Sequence, residues 1–184
     1  TIMVGNYIVS LEGDPCDNNS PIIAVSTQDV NCYGDSDGSA EVIVFDEPCL
    51  ISTNSDVTYE IPGLIGQSFT AECDGNLEHV SLTSSTTGTF SAGTLNIYAG
   101  NNLNELIYSQ SYPTTTVATT NELITFNLDN PLVVSANNQY TFELTIDNVS
   151  VYYSEDNYVD GILYHSGTSY AGYDYIFEVL ISTS

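Results

Sequence analysis

The chain has 184 residues, 42% of them hydrophobic, which is enough for a packed core and fits one large β domain or a domain and a half. Its 24 acidic residues are an ordinary share, but Lys and Arg number zero, so the formal net charge is −24. Affinity for phosphate rests largely on Lys and Arg, so direct binding of nucleic acid or of an anionic membrane is not expected, and clustered carboxylates must be hydrated, bonded to backbone N–H or neutralised by a metal such as Ca²⁺.

In chain order, the first distinctive stretch is "VNCYGDSDGSAEVIV", residues 30–44, which packs Cys, Gly and Asp-Gly ahead of alternating apolar residues. Asp35, Asp37 and Glu41 offer carboxylates for Ca²⁺, with Gly38 at the bend; the competing reading is a turn in which Asp caps backbone N–H groups and Gly takes a positive φ. The four cysteines, Cys16, Cys32, Cys49 and Cys73, allow three full pairings and include no CxxC. They predict two disulfides in an oxidising, extracellular setting, the alternative being buried free thiols.

Composition shifts near residue 60, and "IPGLIG", residues 61–66, reads as a hinge between a segment 1–60 and a domain 61–184. One continuous sandwich with its early strands before that point is the alternative. Beyond it, period-two alternation predicts half-buried strands. Val80 and Leu82 mark one inward face in "HVSLT", and Leu95, Ile97 and Ala99 another in "TLNIYAG". Ile124, Phe126 and Leu128 follow in "ITFNL", then Tyr140, Phe142, Leu144 and Ile146 in "YTFELTI". Ile162 and Tyr164 mark "ILYHSG", and Tyr175, Phe177, Val179 and Ile181 the final strand. Turn signals such as "CDGN", "AGNNLNE", "LDNP", "SANNQ", "YVDG" and "SGTSYAG" separate them. The expected fold is all-β, an antiparallel β-sandwich of jelly-roll type.

Two features of the later chain carry candidate sites. Glu155, Asp156 and Asp160, with Asp174, would form a calcium site if the loops at one end of a jelly roll converge; otherwise they are a hydrated acidic surface. Seven of the 14 tyrosines fall in the last 33 residues. Tyr153, Tyr158 and Tyr173 are the candidates for a glycan platform, because aromatic rings stack on sugar faces. The same rings also suit strand packing or a protein interface.

An enzyme is not expected. His79 and His165 fall in different strands, no Gly-x-Ser-x-Gly or His-Glu-x-x-His is present, and no Lys or Arg can stabilise an oxyanion. No stretch approaches the roughly 18 apolar residues of a membrane span.

The order Gly5, Tyr7, Val9, Cys16, then Cys32, Gly34, Asp37, Gly38, Ala40 and Val42, resembles the junction between SprB-type repeats of Bacteroidetes gliding and cell-surface adhesins. The resemblance covers roughly the first 45 residues, then departs: the Trp-containing strand of such a repeat has no counterpart, so it implies an incomplete Ig-like segment. "IGQSFTAECDGNLEHVSL", "LNIYAG", "NPLVVSANNQYTFELTI" and "AGYDYIFEVLIS" resemble carbohydrate-binding-module-like jelly rolls of large secreted bacterial proteins. Together the resemblances imply an extracellular, cell-surface module exported by the type IX system, part of a larger parent polypeptide, that binds polysaccharide or a cell-surface protein. The alternative is a self-associating filament or stalk segment completed by a neighbour's β-strand.

Overall fold

The computed structural model describes residues 48–54, 59–155 and 158–183, together with four strands before residue 48. The chain divides into two units, Thr1–Glu47 and Pro48–Ser184. In the first, β1 (Ile2–Val4) pairs antiparallel with β2 (Tyr7–Val9), and β3 (Ile22–Gln28) pairs antiparallel with β4 (Ser39–Phe45). The alternation in "AEVIV" does become a strand, with Glu41 opposite Ser26. Cys16, Cys32, Asp35 and Asp37 lie outside the described residues.

The second unit contains β5 (Cys49–Ser52), β6 (Tyr59–Thr70), β7 (Gly75–Thr83), β8 (Gly88–Phe90), β9 (Gly93–Ala99), β10 (Glu105–Tyr112) and β11 (Thr115–Val117). It continues with β12 (Leu123–Val134), β13 (Gln139–Glu155), β14 (Leu163–His165), β15 (Thr168–Tyr170), β16 (Tyr173–Tyr175) and β17 (Phe177–Ser182). Among the described residues every pairing is antiparallel and no helix forms.

One sheet has the order β10-β9-β13-β6-β14-β15, with β16 added along the far half of β13; the other is β12-β7-β17-β5. The chain crosses between sheets at β5→β6→β7→β9, makes the β9–β10 hairpin, and crosses again at β10→β12→β13→β17. Those orders and crossings are two interleaved Greek keys, the connectivity of a jelly roll. The sandwich expected from the alternation is therefore present.

The inward faces follow from the two-residue period of a strand. Ile65 and Phe69 of β6, Leu95 and Ile97 of β9, and Phe142, Leu144 and Ile146 of β13 bury against Val80 and Leu82 of β7 and Phe177, Val179 and Ile181 of β17. Phe142 meets Phe177 across the sheets, edge to face at 6.0 Å. Phe90, Tyr112 and Phe126 form a second aromatic contact set in the same core, with centroids 5.0 to 6.0 Å apart.

Three details differ from the sequence expectation. The division falls at Glu47/Pro48 rather than at residue 60, because β5 pairs with β17 and the disulfide Cys49–Cys73 ties it to the β6–β7 turn. "IPGLIG" is the interior of β6, not a hinge: Pro62, which cannot donate to a ladder, sits where the pairing with β13 shifts between Ile146 and Val151. "LDNP" likewise lies inside β12, at the register shift between Asn127 and Leu132. Both bulges find partners for their freed backbone groups. Asp129 N–H donates to Gln110 Oε1 at 2.8 Å, and Ser150 N–H donates to Thr86 Oγ1 at 2.8 Å. The Asp147 carboxylate accepts from Ser91 N–H and Oγ–H, which holds its pKa below the ordinary carboxylate value.

Candidate functional site

Side chains of Tyr59, Ile61 and Ile65 share one face of β6, and Ile65 is in the core, so Tyr59 and Ile61 point to the core side of the long sheet. Register partners share a face, and this brings the neighbouring strands' aromatics to the same place. Tyr153 of β13 is opposite Tyr59 and also opposite Tyr175 of β16, and Tyr173 is two residues from Tyr175. On the other flank, β14 sets His165 opposite Ile65 and Leu163 opposite Gln67, and β15 sets Tyr170 opposite Leu163. Tyr59, Ile61, Tyr153, Leu163, His165, Tyr170 and Tyr173 line a groove of about 420 Å³.

Leu163 is buried beneath it, whereas Tyr59, Tyr170 and Tyr173 stay 43%, 44% and 36% exposed. The smaller sheet does not cover them. Tyr153 is the central ring: its centroid is 5.3 Å from Tyr59 at an interplanar angle of 32°, and 6.0 Å from Tyr173 at 67°. A third contact, at 6.5 Å and 71°, joins it to fully buried Tyr175. Burial pushes the Tyr175 hydroxyl far above the ordinary tyrosine pKa, keeping it a neutral donor towards Tyr164 O at 3.4 Å.

His165 adds the groove's polar side chain. Its Nδ1 is buried with no hydrogen-bond partner among the described residues, an arrangement that calls for a ligand or water. Gly63 makes room for the ring: its φ is +122°, and a Cβ there would lie 3.2 Å from His165 Cε1. Glu155 stands opposite Tyr173 in the β13–β16 ladder, on the groove's face and exposed.

A buried polar knot holds the flanking turns in position. Gln67 Nε2 donates to Asp174 Oδ1 at 2.7 Å, Tyr158 N–H donates to Asp174 Oδ2 at 3.0 Å, and Tyr175 N–H donates to Gln67 Oε1 at 3.0 Å. Ser68 and Ile162 exchange two more bonds, with Ile162 N–H donating to Ser68 Oγ at 2.7 Å. Gly161 lies against this knot: a Cβ would come within 2.6 Å of Gln67 Nε2 and 2.7 Å of the Tyr158 ring. On the other flank, Ser166 and Gly167, both at positive φ, close the tight β14–β15 hairpin.

Of the tyrosines singled out in the sequence, Tyr153 and Tyr173 stand in the groove and Tyr158 does not. Tyr158 packs edge-on against Phe177 at 5.7 Å and accepts a hydrogen bond from Thr70 N–H at 2.9 Å, and burial raises its pKa. The candidate calcium ligands are dispersed: Asp174 is inside the knot, Glu155 is at the groove rim, and Asp160, exposed, accepts from Gln139 through its backbone carbonyl at 3.3 Å. Asp156 lies outside the described residues. Among the described residues no three His, Cys, Asp or Glu side chains gather as a cation site requires.

Tyr59, Ile61, Leu163, His165 and Tyr170 were missed. Ile61 opens the stretch expected as a hinge and Tyr59 lies just before it, and the alternation in "ILYHSG" predicts Ile162 and Tyr164 inward. The strand instead begins at Leu163, so Leu163 and His165 face the groove, while Tyr164 turns to the opposite face and donates to Asn101 O at 2.5 Å. The signal that could have found the correct phase is the small Gly66, opposite Tyr164 in the ladder, where an added Cβ would lie 3.3 Å from Tyr164 Cβ. No family model matches the chain, and no curated protein matches it.

Proposed function

We propose that the chain is a non-catalytic saccharide-binding module of a secreted bacterial cell-surface adhesin, and that its contact surface is the tyrosine groove. The observation that carries this reading is the gathering of Tyr59, Tyr153, Tyr170 and Tyr173 around one concave surface floored by Leu163 and edged by an unpartnered His165 nitrogen. Aromatic rings supply apolar faces for C–H surfaces of a sugar, and a few polar groups fix its orientation. The volume, about 420 Å³, falls within the usual range of small-ligand sites. The absence of Lys and Arg argues against uronate, sulfate or phosphate groups as the recognised feature. The resemblance of the later chain to carbohydrate-binding jelly rolls agrees with this assignment, and the resemblance of the first 45 residues to adhesin repeats supplies the cell-surface setting.

A glycan array probed with the wild-type protein and with Tyr170→Ala tests it. Binding to neutral or amino-bearing glycans that Tyr170→Ala abolishes is the expected result. Loss of no signal in the variant, or binding confined to anionic glycans, would overturn it.

A second reading, a filament subunit assembled by strand complementation, draws on β5. Among the described residues β17 is the one partner of this strand, and Leu50 is 52% exposed at the sheet edge, a geometry open to an added strand. Concentration-dependent oligomers that Leu50→Lys dissolves would favour it.

A further inference from the structure

Resting on the reading of the groove as a binding site, we infer that the group it takes is an organic cation, an alkylammonium carried on the saccharide rather than a neutral pyranose alone. The first observation is the disposition of the rings. A single sugar face is best met by rings lying side by side in one plane, but Tyr153 is inclined 32° to Tyr59 and 67° to Tyr173. Tyr59 and Tyr173 each touch Tyr153 and so form a bent wall with it, and Tyr170, which lines the same groove from β15, stands on its other flank. The face of a ring is the negative end of its quadrupole, so a cation held against this wall is attracted by each ring whose face it meets.

Charge is the second observation. Among the described residues the lining has no carboxylate and no Lys or Arg, and His165 is its one basic side chain, so no permanent positive charge competes with an incoming cation. Glu155 lies at the rim, opposite Tyr173 and on the same face, where its charge faces solvent. The chain's charge of −24, with no Lys or Arg, draws cations towards the whole surface and repels anionic glycans. An apolar floor of Ile61 and Leu163 suits N-methyl groups better than a strongly hydrated primary ammonium. Trimethylammonium is therefore the favoured form.

The test compares choline with 3,3-dimethylbutan-1-ol, which has the same shape without the charge, by calorimetric titration at 0.15 M salt. Choline is expected to bind at least about tenfold more tightly than the alcohol. Tyr153→Leu and Tyr170→Ala should each weaken choline about tenfold, and Glu155→Gln about threefold. Tyr170 and Glu155 are exposed, so those two variants keep the result interpretable if Tyr153→Leu fails to fold. Equal affinity for choline and the alcohol, or choline binding unchanged in Tyr170→Ala, overturns the cation site. If neutral glycans still bind on the array in that case, the saccharide reading stands alone; if neither choline nor any glycan binds, both fall.

Discussion

β13 shows the same alternation doing two different jobs. In its first half, Tyr140, Phe142, Leu144 and Ile146 pair with β6 and β9 and are sealed beneath the second sheet. In its last residues, Tyr153 pairs with β6 and β16 and is left half-buried among other tyrosines. Between them lies the shift opposite Pro62, where β13 carries three more residues than its partner. A bulge bends a strand and increases its twist. Just past that point Val151 is still fully buried, but two residues on, at Tyr153, the same face is only partly covered, and an aromatic surface that would otherwise be core becomes a groove. The difference between core and site is thus one of cover, not of residue type.

Substitutions on the two sides should separate these roles. Phe142→Ala removes a fully buried ring that touches Phe177, and should cost about 4 kcal/mol, lowering the midpoint of thermal unfolding by roughly 12 °C or preventing folding. Asp174→Ala should cost about 3 kcal/mol, because Gln67 and the Tyr158 N–H lose their partner inside the fold. Its denaturant midpoint should fall with little change in slope. Tyr170→Ala, by contrast, should stay within about 0.5 kcal/mol of wild type while removing ligand binding. A large stability loss in that variant would erase the proposed distinction between covered and uncovered halves.

Titration sharpens the same contrast. Burial raises the pKa of Tyr158, Tyr164 and Tyr175 above the ordinary 10.0, favouring the neutral phenol in the folded state. Their contribution to stability is therefore complete below pH 10 and is lost as pH rises through the folded-state values. Alkaline titration should show part of the phenolate absorbance at 295 nm appearing together with loss of the far-ultraviolet β signal. The smallest effect is expected at His79, where burial outweighs the nearby Glu178 and Glu78 carboxylates and lowers the pKa below 6.5. Neutral His79 is favoured in the fold, so its contribution is present above pH 6.5 and is lost as pH falls through the folded value. His79→Gln should flatten that part of the stability profile.

The sandwich was legible because most strands alternate cleanly: Leu95 and Ile97, Phe142 and Leu144, and Phe177 and Val179 were expected inward and are buried. Pro62 and Pro131 were misleading because Pro and Gly mark both turns and bulges, and sequence alone does not separate the two. The groove was half legible. Tyr153 and Tyr173 stood out through the density of tyrosines, but Tyr59 lies 94 residues before Tyr153 and joins it only through strand register. Asp174 looked like a metal ligand because a carboxylate in a Tyr- and Gly-rich loop offers no sign that Gln67, on a strand over a hundred residues earlier, will satisfy it.

The most direct test of the central claim is a nuclear magnetic resonance titration of protein carrying ¹³C-labelled tyrosine rings with the strongest glycan from the array. Shifts concentrated at Tyr59, Tyr153, Tyr170 and Tyr173, with Tyr98, Tyr108 and Tyr112 unmoved, are the expected result. Shifts centred on Tyr98 and Tyr108, with the four groove tyrosines unmoved at saturation, would contradict the assignment of the groove.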